Sequence, residues 1–314
     1  MRVDTINGVL FVLLGLFVFL LPLSALAVQF VCDARILKKL PIVVIAMAAL
    51  VIPGRAPAQI TTPDPGSPAA PLPNQPPEKA APAAPSPESD FDRPVSWKLL
   101  FHNWVDDQKH IWTFPARLVQ GQDLVPTAAV LGTTAGLFFV DPKEAAYFRN
   151  TTTFNGFRHI FNGNAMGIGI GATAASMYAI GRTRKDSKMQ HTALLAGEAM
   201  ADTALVQTVL KDATMRLRPI SYPASGWFVT SRSPTKYIRG DGSFPSGHSM
   251  VAFAVATVIA RRYGNHRWVP YTAYGLASLV GFSRLTLNVH FLSDVVMGGA
   301  LGYTISRYTV LQGH

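Results

Sequence analysis

Apolar residues in this chain fall into long blocks with polar junctions, and no period-two alternation interrupts them. Residues 6–32 carry no charge over a length that spans a bilayer, and residues 41–53 form a shorter apolar run behind Arg35, Lys38 and Lys39. Each run leads to an Ala-x-Ala ending, at Ala25-Leu26-Ala27 and at Ala56-Pro57-Ala58, so residues 1–58 read as export segments. Residues 59–94 follow as a Pro/Ala-rich disordered linker, since residues 53–94 hold 13 of the 23 prolines and too few apolar side chains to build a core. The folded domain is then 95–314. It opens on an amphipathic helix over 97–118 with Trp97, Trp104 and Trp112, either docked on the core or lying on a membrane. Six Ala/Gly-rich helical stretches follow at 124–140, 165–181, 192–210, 249–263, 269–285 and 294–310, within a core of 120–312. The pattern predicts an all-α, six-helix antiparallel bundle, membrane-embedded or membrane-associated.

Composition narrows the class. Charged residues make up 15% of the chain, below the roughly 25% of ordinary soluble domains, which favours a bundle in or at a membrane. The net charge of +10 asks for an anionic partner. Nucleic acid is excluded as that partner because the cations are scattered and build no basic helix. A lone Cys32 rules out an internal disulfide framework and a thiolate zinc site. Glu198 and Asp202, four residues apart in an apolar stretch, are expected to make structural polar contacts inside the bundle. Asp106, Asp107 and His110 read as a solvated helix face and not as a metal site.

Candidate chemistry gathers at three helix ends. KDATMRLRP carries Lys211 and Arg218 where the third apolar stretch ends; PSGH places Ser246, Gly247 and His248 where the fourth begins. SRLTLNVHFLSD supplies Ser283, Arg284, His290 and Asp294 between the fifth and the sixth. With up-down connectivity these ends share one face of the bundle. Singly, Lys211, Arg216 and Arg218 would be the cationic last turn of a helix and His290 a core histidine. Those readings do not explain why all three clusters meet.

Together they form a phosphate cradle. Lys211, Arg218 and Arg284 are fixed cations, two of them guanidiniums whose forked donors match phosphate oxygens. Ser246 and Gly247 are expected to add backbone N–H donors at a helix N-terminus. Histidine suits the remaining tasks of nucleophile and acid. His290 precedes Asp294 by four residues, so Asp294 is expected to hold one ring nitrogen and leave the other to attack. His248 has no carboxylate at i+3 or i+4 and fits the acid that protonates the leaving oxygen. With three cations on the phosphoryl oxygens, no metal or other cofactor is expected, and vanadate should inhibit.

The ordered set Lys211-x6-Arg218-Pro219, Pro245-Ser246-Gly247-His248 and Ser283-Arg284-x5-His290-x3-Asp294 resembles the tripartite signature of the type 2 phosphatidic acid phosphatase superfamily, with no position substituted. The resemblance spans about residues 120 to 312. It implies a phosphoric ester or diphosphate hydrolase acting through a phosphohistidine, with catalytic His290, His248 and Asp294 and phosphate held by Lys211, Arg218, Ser246, Gly247 and Arg284. A lipid phosphate such as phosphatidate, a polyprenyl diphosphate or phosphatidylglycerophosphate is the expected substrate. Soluble acid phosphatases of the periplasm and vanadium haloperoxidases share the signature and are the alternatives. The basic junctions at 182–191 and 261–267 fall on the face opposite the cradle, so the positive-inside rule puts the cradle on the periplasmic side of a cell envelope.

Overall fold

The structure, a computed structural model, describes residues 93–221, 240 and 242–312. The expected export segments at 1–58 and nearly all of the expected linker at 59–94 lie outside the described residues.

All six apolar stretches are helices: α3 (Leu124–Phe138), α6 (Gly163–Thr183), α7 (Ser187–Thr214), α8 (Gly247–Arg262), α9 (Trp268–Thr286) and α10 (Leu292–Ile305), the last prolonged by a π-turn over Ser306–Val310. The expected count of six is too low. The 97–118 segment folds as α1 (Leu100–Trp112) and α2 (Phe114–Val119), and the junction after α3 forms α4 (Asp141–Asn150) and α5 (Asn155–Ile160). These junction helices escaped the pattern because they are short and polar. Asp141 and Glu144 occupy the first turn of α4, where carboxylates favour the helix dipole.

Local chemistry sets the ends of the bundle helices. Asn162 caps α6 by accepting from Ala165 N–H, and Asp186 caps α7 by accepting from Met189 N–H. Met215 ends α7 in the left-handed region, at φ +44°, which turns Arg216 out of the helix. α6 to α10 run alternately up and down around α8, most of whose residues are buried. A side chain at Gly302 would collide with Met250 O and one at Gly298 with Ser246 O, so two small residues four apart bring α10 backbone to backbone with α8.

Among the described residues one helix, α7, is long and apolar enough to cross a membrane, and α3 with α4 passes that test only as a pair bent by 54°. The chain's apolar surface is not all inward. Val125, Leu131 and Phe139 on or just after α3 expose 81%, 55% and 69% of their surface.

Helix α1 is docked, but with its polar face inward. Asn103 donates to Glu198 Oε1 at 2.8 Å, Gln108 donates to Asp202 Oδ1 at 2.8 Å, and Arg93 grips Asp107 at 2.7 Å. These bonds give Glu198 and Asp202 the structural contacts expected of them. Phe101 points away and exposes 73%, while Trp97, just before the helix and 63% exposed, donates to the Tyr178 hydroxyl at 2.6 Å.

Candidate active site

The three clusters meet at one end of the bundle, and backbone bonds fasten them together. Ser246 N–H donates to Asp294 O at 2.9 Å, which joins the start of α8 to the start of α10. Ser243 N–H donates to Arg216 O at 2.8 Å and Thr214 Oγ1 donates to Phe244 O at 2.9 Å, which tie the same loop to the end of α7. A side chain at Gly247 would run into Gln207 of α7, so glycine there lets α8 begin against its neighbour. Ser246 thus spends its N–H on Asp294. Of the two amides expected to face a phosphate, that of Ser246 is therefore committed elsewhere, while Gly247 is the first residue of the helix.

His290 sits on the junction before α10, 3% exposed. Its Nδ1 lies 2.7 Å from Ser243 O, and a carbonyl only accepts, so Nδ1 carries the proton. The other ring nitrogen, Nε2, is then the one with a lone pair. Asp294 Oδ2 is 3.6 Å from Nδ1, so the expected direct grip of Asp294 on the imidazole is replaced by the carbonyl. The reason is where α10 starts: at Leu292, not at His290, so Asp294 falls at the third helical position and its Oδ2 accepts from Phe291 N–H at 2.8 Å. Ser243 Oγ donates to the same Oδ2 at 2.5 Å. Burial is the main force pushing the His290 pKa below its ordinary value; the Asp294 carboxylate opposes the shift, while Lys211 and Arg218 add to it. The ring therefore stays neutral further into acid than a free imidazole does.

Behind His290 lies a network that motif reading missed. Arg216, 1% exposed, donates through Nη1 to Asp294 Oδ1 at 2.5 Å and Ser293 Oγ at 2.7 Å, and through Nη2 to Asp141 Oδ2 at 2.7 Å. Asp141 in turn accepts from Ser293 N–H at 3.1 Å and Ser293 Oγ at 2.5 Å. The guanidinium also stacks over the Phe291 ring at 4.2 Å. One cation outside the helix's last turn thus neutralises two buried carboxylates from α4 and α10. Arg216 stands in the quoted stretch KDATMRLRP, but nothing there marks it as inward; Asp141 carried no signal, being 75 residues from its partner.

The remaining expected residues reach the same end by different routes. Arg284, 1% exposed near the end of α9, donates to Phe161 O at 2.7 Å and to Ser283 Oγ at 2.8 Å. His248, in the first turn of α8, is half-buried, and a side chain added at Gly167 of α6 would stand 3.8 Å from its Nε2. Lys211 is buried and Arg218 half-buried, both near enough to oppose a positive charge on His290. Cations, a neutral imidazole and a second histidine therefore surround one end of the bundle.

Residues 192–314 match the family model of the PAP2 superfamily. The chain also aligns with curated relatives: it is 41% identical over 75 residues to a lipid A 1-phosphatase of Porphyromonas gingivalis, covering 22% of this chain and 17% of that protein. A phosphatidylglycerophosphatase B of Bacillus subtilis is 46% identical over 68 residues, 19% of this chain and 34% of its own. A lipid A 4'-phosphatase of Porphyromonas gingivalis is 28% identical over 93 residues, 30% of this chain and 38% of its own. The chain thus spans well under half the length of these relatives. A solved structure titled as a transmembrane PAP2 type phosphatidylglycerolphosphate phosphatase from Bacillus subtilis covers 66% of this chain and 90% of its own, at 23% identity and a TM-score of 0.33.

Proposed function

We propose that this protein is a lipid phosphatase that removes phosphate through a covalent intermediate on His290 and needs no metal. The observation that carries the reading is the bond from His290 Nδ1 to Ser243 O, 2.7 Å long, which orients Nε2 as a neutral nucleophile beside Lys211 and Arg218. The PAP2 match and relatives named for lipid phosphates support it.

The proposed steps use the groups where they stand. Nε2 attacks phosphorus and the bond to the leaving oxygen breaks, while His248 gives that oxygen a proton. Lys211, Arg218 and Arg284 offset charge on the phosphoryl oxygens. The phosphorylated ring keeps its proton on Nδ1 and is cationic; Ser243 O accepts that proton's hydrogen bond and the Asp294 carboxylate lies 3.6 Å away. Water then attacks phosphorus, His248 takes the water's proton, and the P–N bond breaks to return neutral His290.

The lipid class follows from the surface. Exposed apolar side chains on α1 and α3 suit contact with acyl chains and the membrane interface. The basic turns before α7 and after α8 pack together at the end away from His290, with Lys188 4.9 Å over the Tyr263 ring, which suits a periplasmic active face in a cell envelope. Phosphatidate, polyprenyl diphosphate and phosphatidylglycerophosphate are the substrates to test. Purified protein in detergent should release phosphate from at least one of them in EDTA, and His290→Ala should abolish the release. Wild type quenched in alkaline denaturant should carry label from radioactive substrate on histidine, and acid should release that label because the P–N bond breaks once its nitrogen is protonated. Preference for a small aryl phosphate would replace the lipid reading with a soluble acid phosphatase, and vanadate-dependent halide oxidation without phosphate release would replace it with a haloperoxidase.

A further inference from the structure

A groove of about 500 Å³ opens next to the His290 junction, lined by Arg149, Arg158, Ile220, Ser221, Thr286 and Asn288 among others. Its wall is continuous with the catalytic turns. Ile220 N–H donates to Asn288 O at 3.0 Å, which joins the residue two beyond Arg218 to the residue two before His290. Arg149 Nη2 donates to Pro219 O at 2.7 Å, which fixes one guanidinium on the same turn. The volume is that of a small-ligand site.

The charge of the groove is what distinguishes it. Arg158 has only neutral partners among the described residues: Phe148 O at 2.6 Å, Thr151 O at 3.2 Å and Asn155 Oδ1 at 3.1 Å. Its Nε is buried with no hydrogen-bond partner there. A half-buried guanidinium without a carboxylate is costly unless an anion arrives to balance it. Arg216 and Arg93 show the alternative in the same molecule, each bonded to an aspartate. The two arginines at the groove sit on α4 and α5, outside residues 192–314, where the family match lies.

Building on the phosphatase reading, we infer that this groove binds a second anionic group of the substrate. In a phosphomonoester everything beyond the phosphoryl group departs with the leaving oxygen. The second anion is therefore carried on the leaving alcohol, and the preferred substrate is a lipid whose polar head bears two anionic groups. Arg158 and Arg149 face that second group, and the exposed Ser221 offers a hydroxyl to the head between the two charges.

The test uses two substrates alike in chain and reacting monoester, one with a plain leaving alcohol and one whose leaving alcohol also carries a methyl phosphodiester, a charge that cannot be released as phosphate. Wild type should favour the doubly charged substrate in kcat/KM by about tenfold, and added salt should shrink that ratio. Arg158→Gln and Arg149→Gln should each lower the ratio, and the double variant should bring it close to one. The ratio is internal to each preparation, so loss of folded protein does not change it. Equal rates on the two substrates in wild type, or a preference that survives both substitutions, would overturn the groove while leaving the phosphatase intact. Release from neither substrate would overturn both.

Discussion

Two seams of this protein bury carboxylates, and they do so by opposite means. At the His290 end Asp141 and Asp294 share one fully buried guanidinium, Arg216, with bonds of 2.7 and 2.5 Å. Between α1 and α7, Glu198 and Asp202 receive the neutral amides of Asn103 and Gln108 at 2.8 Å. Oε2 of Glu198 and Oδ2 of Asp202 have no hydrogen-bond partner among the described residues. The first seam holds charge in place beside His290, the ring that the proposed reaction makes cationic. The second holds the two acids of α7 by neutral amides, and the fixed charge nearby belongs to Arg93 and to Asp107 of α1. Burial of an acid, then, says little about function until its partner is known.

The comparison breaks first at Arg216. Arg216→Met strands two buried carboxylates and should cost about 3–5 kcal/mol of stability. Thermal unfolding in detergent reads the loss, and kcat should fall by about a hundredfold or more because the Asp294 carboxylate loses its anchor. A variant as stable and active as wild type would mean the two seams do not differ.

Asp294→Asn sharpens the same side through pH. The carboxylate raises the pKa of His290 and burial lowers it, with burial the larger effect. Removing the negative charge should therefore move the acid limb of kcat/KM to lower pH, even though the rate at neutral pH falls by about tenfold or more. An acid limb moving upward would show that Asp294 does not act on the ring by its charge. Ser243→Ala should do less. It deletes a hydroxyl bonded to Asp294 but keeps the carbonyl that holds Nδ1, so kcat should drop by no more than about tenfold. A loss as large as that of His290→Ala would place the orienting role in the hydroxyl.

Much of this arrangement was legible before any coordinates. The stretch at 249–263 became Gly247–Arg262 and that at 269–285 became Trp268–Thr286, because apolar blocks of helical length tolerate few other folds. Convergence of the Lys211, Ser246 and His290 clusters followed from alternating direction alone. What stayed hidden depends on contacts across the chain. Asp141 meets Arg216 only because α4 folds back beside α10, and no local pattern encodes that return. The orientation of α1 was hidden for another reason. Periodicity tells which face is apolar, but not that buried acids on α7 would draw the polar face inward and leave Phe101 outside. The direct Asp294–imidazole bond failed on a helix boundary, the least predictable part of an element.

The smallest expected effect tests the second seam. In Glu198→Gln the side chain keeps its length, and Oε1 still accepts from Asn103 Nδ2. Its new amide nitrogen takes the place of Oε2, which has no partner to lose among the described residues. Because neither atom depends on a cation for its bond, stability should change by less than about 1 kcal/mol and phosphate release should stay within about twofold. The matched exchange at the other seam, Asp141→Asn, keeps shape equally well but leaves Arg216 with one carboxylate where it had two, so it should be the more damaging of the pair. Thermal unfolding of the two variants side by side makes the check. If Glu198→Gln were the worse, Glu198 would be a charged partner like Asp141, and the α1 seam would be held by an ion pair after all.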